Sequence, residues 1–431
     1  MGHKKVLLIL SVLISCFIML FSTNNDAFLH LTAFVIVAIV SAWVVDFELH
    51  HPLFFYVSLY SLYSVAYTIL CLFGLNSKYG YSKEALLCMW IGLIVIVLII
   101  PIHKIRNGYF LEVKKINDHH YLLMSVTNLL SLWTYLGLFY IMVSGFSHKN
   151  EIYSDGGIVI NLTCKMVYIN MLYITMLLLN SIKYNSINIK CLIFAIFSVV
   201  LFGLVTGERD YMFHMMMIIV LSLSFFGKIK KKHLPVLLFL GISAVVLSKS
   251  FKYFFLSGSG AESIAQDNLF IDFLSGEFIS ASRNVQILVN GGYDNYFGGY
   301  SLLTDFIRVI YDFDVSTVRW FNDVVLYDVV NTGYGFTIVG EGYVNGGYIG
   351  VAFVMLIVGI LLRYLYINAN NSLYYLTAYI YMLPQFVYAT RADITNIISP
   401  LLKHVILGFV CLSIIFNLFG KKNRIAQRRT I

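Results

Sequence analysis

Long apolar runs recur along the chain, and only short polar connections separate most of them. A helix needs about 20 apolar residues to cross the hydrocarbon core of a membrane, so each run of roughly this length predicts one span. The predicted spans lie at about 6–22, 27–45, 52–73, 85–101, 121–143, 161–180, 191–205, 211–226, 234–252, 346–367, 373–389 and 396–418. The pattern predicts an all-α polytopic integral membrane protein with about twelve transmembrane helices.

The composition excludes an ordinary soluble protein. Of the 431 residues, 59% are hydrophobic and only 12% are charged, whereas soluble domains are about 25% charged. The cysteines lie inside apolar runs, which indicates core residues and not a disulfide framework or a zinc site. The net charge of +8 would suggest nucleic acid for a soluble protein, but in a membrane protein the distribution of the cations matters more. We expect no nucleic-acid partner, and we interpret the first run as an uncleaved span because no cleavage site of small residues follows it.

The distribution of lysine and arginine predicts the orientation. With the N-terminus in the cytoplasm, the inner connections and the tail hold eighteen of these cations. The short outer connections hold only Lys78, Lys83, Lys149, Arg209 and Arg391. Because cytoplasmic loops carry an excess of positive charge, both termini are predicted to be cytoplasmic.

One connection differs from the others, because residues 253–345 form a long outer loop between spans 9 and 10. Loops of this length are usually functional. Amphipathic stretches at 277–289 and 315–326 predict helices folded onto the outer membrane surface, and a re-entrant segment or extra span is the alternative. We divide the single membrane domain into residues 1–252 with spans 1–9, the loop 253–345, and residues 346–431 with spans 10–12 and a basic cytoplasmic tail.

Cations also collect near the outer ends of spans, against the general bias. A charge inside a span costs about 2.5–3.5 kcal/mol on insertion scales, so such residues usually face a cavity or a partner. The group contains Lys165, Arg209, Lys249, Lys252, Arg391 and Lys403. Any one of them could extend its side chain to lipid headgroups, but as a group they indicate a pocket for an anionic ligand at the outer leaflet. Pro400 should open the helix that carries Lys403.

Other charged residues stand in unusual local sequences. The turn 207–210 concentrates three charges between two apolar spans, and the planar fork of Arg209 suits phosphate oxygens. The alternative is that the two acidic neighbours of Arg209 simply neutralise it. In the long loop, five charged residues have apolar or glycine-rich surroundings: Glu277, Arg283, Arg308, Arg319 and Glu341.

Two short stretches resemble a known family. In the segment 333–350, the pattern of a glutamate followed by tyrosine, asparagine and G-x-x-G is matched by Glu341, Tyr343, Asn345, Gly347 and Gly350. The turn 206–209 reads T-G-E-R and matches a T-G-x-R turn. Together with twelve spans and a late outer loop, these stretches resemble the bacterial Wzy-type O-antigen polymerases. Gly346 departs from the family pattern, in which a small or aromatic residue is common, and this leaves the start of span 10 open.

The resemblance implies a metal-independent glycosyltransferase without a cofactor. A growing glycan of O-antigen, capsule or exopolysaccharide type, linked to undecaprenyl diphosphate, would be transferred to a new lipid-linked unit on the outer face of the bacterial cytoplasmic membrane. Glu341 or Glu277 would be the base, and Arg209 and Arg283 would bind the diphosphate. Lys249, Lys252, Arg391 and Lys403 would support them. The expected partners are undecaprenyl-diphosphate-linked oligosaccharides, the lipid bilayer, a chain-length regulator and a flippase.

Three other functions remain open from the residues alone. A lipid-linked oligosaccharide flippase also has about twelve spans, but transporters often show internal repeats and paired broken helices, which the sequence lacks. A glycosyltransferase that uses a polyprenyl-phosphate sugar usually has a sizeable acidic first outer loop, and here that loop is short. The O-antigen ligase shares the architecture and the chemistry but uses another acceptor.

Overall fold

The computed structural model describes most of the chain and contains helices and turns, with no strand in the described ranges. For Tyr184, Arg209 and residues 420–428 it describes the backbone alone. The described residues are 2–75, 79–103, 120–146, 151–152, 156–184, 189–237, 274, 278–311, 316–326 and 335–428.

The helices follow the apolar runs of the sequence. Before the long loop they are α1 Gly2–Phe21, α2 Ala27–Val44, α3 Pro52–Leu72, α4 Lys83–Ile99, α5 His120–Val143, α6 Gly157–Tyr184, α7 Ile189–Thr206 and α8 Arg209–Phe225. Within the loop lie α9 Ile279–Asn290, α10 Tyr300–Arg308 and α11 Thr317–Trp320, and a π-helical turn Phe321–Val325 follows. The chain ends with α12 Ile338–Asn368, α13 Leu373–Ala389, α14 Thr395–Ser399, a π-helical segment Pro400–Ile406 and α15 Leu407–Arg428.

This order confirms an all-helical membrane architecture in the described residues. A helix lies at each predicted span except 234–252, most of which lies outside the described residues. By length and composition, 8 of the helices could cross a membrane. The total of twelve spans and the sidedness of the loops stay predictions.

Local signals explain where the early helices begin. Pro52 stands at the start of α3, where its missing N–H costs nothing. The ring of His51 accepts a hydrogen bond from the Leu53 N–H at 3.1 Å. At α4 the Ser82 hydroxyl accepts from the Ala85 N–H at 3.2 Å. Each cap satisfies a backbone donor that the first helical turn would leave without a partner.

The chain divides into two compact units. The first unit contains residues 1–104, 265–364 and 385–399. In it α1 packs on α2, α2 on α3, α3 on α4, and the loop helix α9 packs against both α3 and α4. The second unit contains residues 105–264, 365–384 and 400–431. In it α5, α6 and α7 pack on one another, and α8 packs on α6 and α7.

The amphipathic stretch at 277–289 does form a helix, but α9 is more deeply packed than a surface helix. Its polar side chains meet polar groups at one end of α3 and α4, so they can be buried without loss of hydrogen bonds. The Ser282 hydroxyl accepts from the Tyr67 N–H at 3.2 Å. The Gln286 amide oxygen accepts from the Ser82 N–H at 3.0 Å.

Helix α10, which lies between the two predicted amphipathic stretches, shows the opposite distribution. Its side toward the protein is polar, with Ser301, Thr304 and Asp305 buried. Its outer side is apolar, with Leu303, Phe306 and Ile307 among the exposed residues. An apolar outer face suits a helix that lies at a lipid interface.

Helix α12 begins at Ile338, eight residues before the predicted start of span 10. Non-helical backbone at Gly346 and Gly347 then breaks it. Gly347 has φ of 56°, a conformation that favours glycine. A Cβ on Gly350 would clash with the carbonyl oxygen of Gly342, so the two glycines allow the backbone segments on either side of the break to touch. Glu341 therefore lies in a short helical segment just before the main part of α12.

In the second unit, the predicted opening of the helix at Pro400 is confirmed. Pro400 begins the π-helical segment, and a proline there leaves a carbonyl without its helical partner. The ring of His404 in this segment stacks on Tyr168, with centroids 4.6 Å apart. Its Nδ1 is 3.0 Å from the Tyr381 hydroxyl, so the altered turn is held from two sides.

Candidate functional site

Glu341 lies in a buried polar cluster of the first unit. Its side chain is 0% exposed, although a carboxyl group is rarely buried without partners. Its Oε2 accepts a hydrogen bond from the Ile394 N–H at 2.7 Å. Asn345, one turn later, donates to the Glu341 carbonyl oxygen at 2.8 Å and to the Ser301 hydroxyl at 2.7 Å. These bonds join the short helical segment to α10 and to the turn before α14.

Two further carboxyl groups and one arginine complete the cluster. Asp305 and Asp393 are 0% and 1% exposed, and Nη2 of Arg308 lies 3.1 Å from Asp305 Oδ1 and 2.6 Å from Asp393 Oδ2. The Thr317 hydroxyl donates to Asp305 Oδ2 at 2.8 Å. The Asn396 amide donates to Asp393 Oδ1 at 2.6 Å. The cluster thus ties α10 to α11 and to the residues that follow α13.

Glu341 and Asp305 lie next to each other in the cluster. Two buried oxygens, Glu341 Oε1 and Asp305 Oδ1, accept no hydrogen bond from the described residues, and two ionised carboxylates could not bond to each other because both are acceptors only. Asp305 faces a cation and a hydroxyl donor, whereas the donor to Glu341 is a neutral backbone N–H. We infer that Glu341 holds a proton, which it donates to an ionised Asp305.

The surroundings of Asp305 act on its affinity for protons in opposite directions. Burial is the largest effect and raises the pKa of Asp305 above its ordinary value, and the charge of Asp393 raises it further. The charge of Arg308 and the hydrogen bond from Thr317 lower this pKa but do not cancel the increase. A raised pKa is expected for a buried carboxyl group beside a second one.

Arg308 connects this buried cluster to the surface. Its side chain is 22% exposed. Among the described residues, its hydrogen bonds and ion pairs all use Nη2, to Asp305, Asp393 and the Thr395 hydroxyl. Nε and Nη1 thus have no such partner in the described part of the chain. Their N–H groups can each donate to an oxygen of an anion, as guanidinium groups do with phosphate.

Two of the predicted cations lie on segments that meet at Gly335. The Asn284 amide donates to the Gly335 carbonyl oxygen at 2.5 Å, and a Cβ on Gly335 would lie 2.7 Å from the Arg391 carbonyl oxygen. Gly335 thus joins α9, which carries Arg283, to the turn that carries Arg391. The Arg283 guanidinium contacts the Asn284 amide oxygen at 3.2 Å. The Arg391 guanidinium lies 4.8 Å from the centre of the Tyr388 ring.

The remaining predicted residues lie elsewhere. Arg209 begins α8 in the second unit, after Gly207 with φ of 68°. Lys403 is exposed in the π-helical segment of that unit. Lys249, Lys252 and Glu277 lie outside the described residues. The structure therefore places Glu341 in the buried carboxyl cluster and Arg283 and Arg391 on segments that meet at Gly335, and the roles of all the predicted residues stay predictions.

The sequence reasoning missed Asp305 and Asp393 and gave Arg308 no role. Asp305 and Arg308 are three residues apart and share a face of α10, and this spacing was a usable signal. Asp393 follows Arg391 in a short turn between helices, where charged residues are common. Its pairing with Arg308, 85 residues away, could not be inferred from either local sequence.

A metal site is not apparent in the described residues, where no group of three or more His, Cys, Asp or Glu side chains could hold an ion. Metal-independent chemistry stays a prediction. In comparisons with known proteins, a family model described as O-antigen polysaccharide polymerase Wzy matches residues 5–423. No curated protein and no solved structure matches the chain significantly.

Proposed function

The chain belongs to the O-antigen polysaccharide polymerase Wzy family, and from this premise we propose that it joins undecaprenyl-diphosphate-linked oligosaccharide repeat units on the outer face of the bacterial inner membrane. The family polymerises O-antigen repeat units at the inner membrane. The match over residues 5–423 is the observation that carries the proposal, because it covers both helical units and the long loop. It favours a polymerase over the flippase and the ligase.

The proposed reaction is a glycosyl transfer. A hydroxyl oxygen of the acceptor unit attacks the anomeric carbon of the growing glycan, and the new glycosidic bond forms as the bond from that carbon to the diphosphate breaks. Undecaprenyl diphosphate leaves with the electron pair, and a base takes the hydroxyl proton. Cations must stabilise the charge that develops on the diphosphate, and the protein must hold the two reacting groups in place.

We assign Arg308 to the diphosphate beside the predicted cations. Asp305 and Asp393 fix its guanidinium through Nη2, so the N–H groups of Nε and Nη1 are preorganised to donate to an anion. Arg283 and Arg391 lie on segments that meet at Gly335. The proposed binding set in the first unit is therefore Arg308, Arg283 and Arg391. Arg209, Lys249, Lys252 and Lys403 remain proposed contacts to the diphosphate.

The two glutamates have different prospects as the base. A base must lie within hydrogen-bond reach of the proton that it takes. Glu341 is fully buried and accepts a hydrogen bond from Ile394, and the proton that we assign to it leaves it unable to act as a base. We propose that Glu341 positions Arg308 through Asp305, and that Glu277, outside the described residues, is the base.

Glycan analysis of cells with and without the gene tests the proposal. Without the gene, single repeat units should still reach the outer surface, and the ladder of long chains should disappear. Restoration of the gene should restore the ladder. Accumulation of repeat units on the cytoplasmic side would instead indicate a flippase, and polymer that forms but stays on its lipid carrier would indicate a ligase.

A further inference from the structure

A cluster of four aromatic side chains stands on the long loop, apart from the carboxyl cluster. We call Tyr293, Tyr296, Phe297 and Trp320 the aromatic platform. The ring of Tyr296 stacks on Trp320 with centroids 5.1 Å apart and planes at 30°. Tyr293 and Phe297 meet the same indole edge-on, at 5.4 and 4.9 Å. Edge-on and offset arrangements of this kind are favourable for aromatic rings, so the cluster is a packed unit.

Backbone contacts fix the position of the platform. The N–H groups of Asn295 and Phe297 donate to the carbonyl oxygens of Tyr343 and Val344, at 3.0 and 2.8 Å. Asn295 has φ of 51°, a left-handed conformation that an asparagine tolerates better than most residues. The two backbone hydrogen bonds attach this turn to the segment that carries Glu341. A rigid surface binds with little loss of conformational entropy.

Despite this packing, one ring faces outward. Tyr296 is 56% exposed, although an indole supports its other face. Polar residues lie close to the exposed ring in the sequence, because Asp294 and Asn295 precede Tyr296 and the exposed Asp323 follows Trp320 by three residues. A supported aromatic face with carboxylate and amide groups nearby is a chemical match for a sugar. The ring C–H groups of a pyranose can contact the negative face of the aromatic ring, and its hydroxyl groups can bond to the neighbouring polar side chains.

A lipid contact would look different, and the neighbouring helix provides the comparison. The exposed side of α10 has aliphatic residues such as Leu303 and Ile307 beside Phe306, which suits hydrocarbon. The platform instead consists of aromatic rings, and charged residues adjoin it in the sequence.

We propose that the exposed face of Tyr296, supported by Trp320, is a glycan subsite that stacks a pyranose ring of the oligosaccharide substrate. The inference rests on the proposed polymerase function and adds a sugar-binding element to it. The bound sugar belongs either to the growing chain or to the acceptor unit, and both offer the same chemistry. Asp294 and Asn295 are the adjacent hydrogen-bonding groups.

The test uses the full-length protein in detergent and the soluble repeat-unit oligosaccharide released from the polysaccharide of its host. Tyr296→Ala should weaken binding about three- to tenfold, the range expected for loss of one aromatic contact. Tyr296→Phe keeps the ring and should bind within about twofold of the original protein. Tyr296→Leu keeps apolar volume without an aromatic face and should bind as weakly as the alanine variant. It provides the same test should the alanine variant not accumulate.

Tyr300 is the matched control, because it is 54% exposed and none of its ring contacts in the described residues is with the platform. Tyr300→Ala should leave oligosaccharide binding unchanged. Equal loss of binding in Tyr300→Ala and Tyr296→Ala would overturn the subsite, since a membrane-interface belt predicts that result. Unchanged binding in Tyr296→Ala and Tyr296→Leu would overturn it as well.

An assay of polymerisation with lipid-linked units distinguishes the two possible sources of the bound sugar. It also separates failure of the proposed subsite from failure of the proposed polymerase function. With the subsite on the growing chain, Tyr296→Ala should shorten the ladder. With the subsite on the acceptor, the variant should need a higher concentration of that unit to reach the same rate. A ladder made equally by the original protein and Tyr296→Ala would refute the subsite alone. No ladder from either protein, with repeat units exported normally, would refute the polymerase.

Discussion

The shared proton between Glu341 and Asp305 predicts that two similar substitutions have very different effects. In Glu341→Gln, the new amide can donate to Asp305 in place of the carboxyl proton, and its oxygen can still accept from the Ile394 N–H. Every bond of Glu341 named above is retained, so the free energy of unfolding should fall by less than about 1 kcal/mol. In Asp305→Asn, the charge that faces Arg308 at 3.1 Å disappears.

The magnitude for Asp305→Asn follows from what the cluster loses. A hydrogen bond to a charged group contributes about 1.5–3 kcal/mol, and a buried ion that loses its partner can cost about 3–5 kcal/mol. Arg308 keeps its 2.6 Å contact to Asp393 and is partly exposed, so the lower range applies. We expect a loss of about 2–3 kcal/mol.

Thermal unfolding in detergent can rank the variants. Membrane proteins often unfold irreversibly, so midpoints should be compared at one fixed scan rate. The midpoint of Glu341→Gln should lie near that of the original protein, and Asp305→Asn should unfold at clearly lower temperature. Equal destabilisation of the two variants would refute the assignment of the proton to Glu341. Polymerisation by Glu341→Gln then tests its role: retained activity supports positioning, and lost activity at normal stability would make Glu341 the base.

The geometry makes two further predictions. Arg308→Lys keeps the charge but loses the planar guanidinium group, so polymerisation should fall about tenfold or more at normal protein abundance. Arg319→Lys, on the same loop, is the control and should retain polymerisation. Equal activities of the two variants would remove Arg308 from the site. Gly347→Ala should lower the free energy of unfolding by about 1–3 kcal/mol because φ of Gly347 is 56°. Gly346→Ala, at a residue with φ of −176°, should lower it by less than about 0.5 kcal/mol. Unfolding midpoints that do not differ between the two variants would contradict the break in α12.

The apolar pattern predicted most of the helices because membrane insertion depends on run length more than on detail. Apart from α12, each predicted span with a described helix lies within a few residues of that helix, and the effect of Pro400 on its helix followed from proline chemistry alone. The start of α12 was misplaced because the glycines near 346 look like a loop, whereas the structure has a helical segment, a two-residue break and a second helix. Residues 338–345, before the break, are helical and buried, and α12 therefore begins at Ile338.

The candidate site was only partly predictable. Glu341 and Arg391 stood out because charges near spans are costly. Their cluster depends on contacts between distant segments, such as Arg308 with Asp393, which no periodic pattern encodes. The aromatic platform was hidden for a related reason. Tyrosine is common at membrane interfaces, and only the stacking on Trp320 distinguishes Tyr296 from an ordinary interface residue.

Reconstitution tests the central claim most directly. The purified full-length protein would be placed in phospholipid vesicles with undecaprenyl-diphosphate-linked repeat units as the only substrate, and the glycan products and released lipid diphosphate would be measured together. The account predicts a ladder of longer glycans, with one undecaprenyl diphosphate released for each linkage formed. Repeat units that remain single, or that only move across the bilayer, would contradict it.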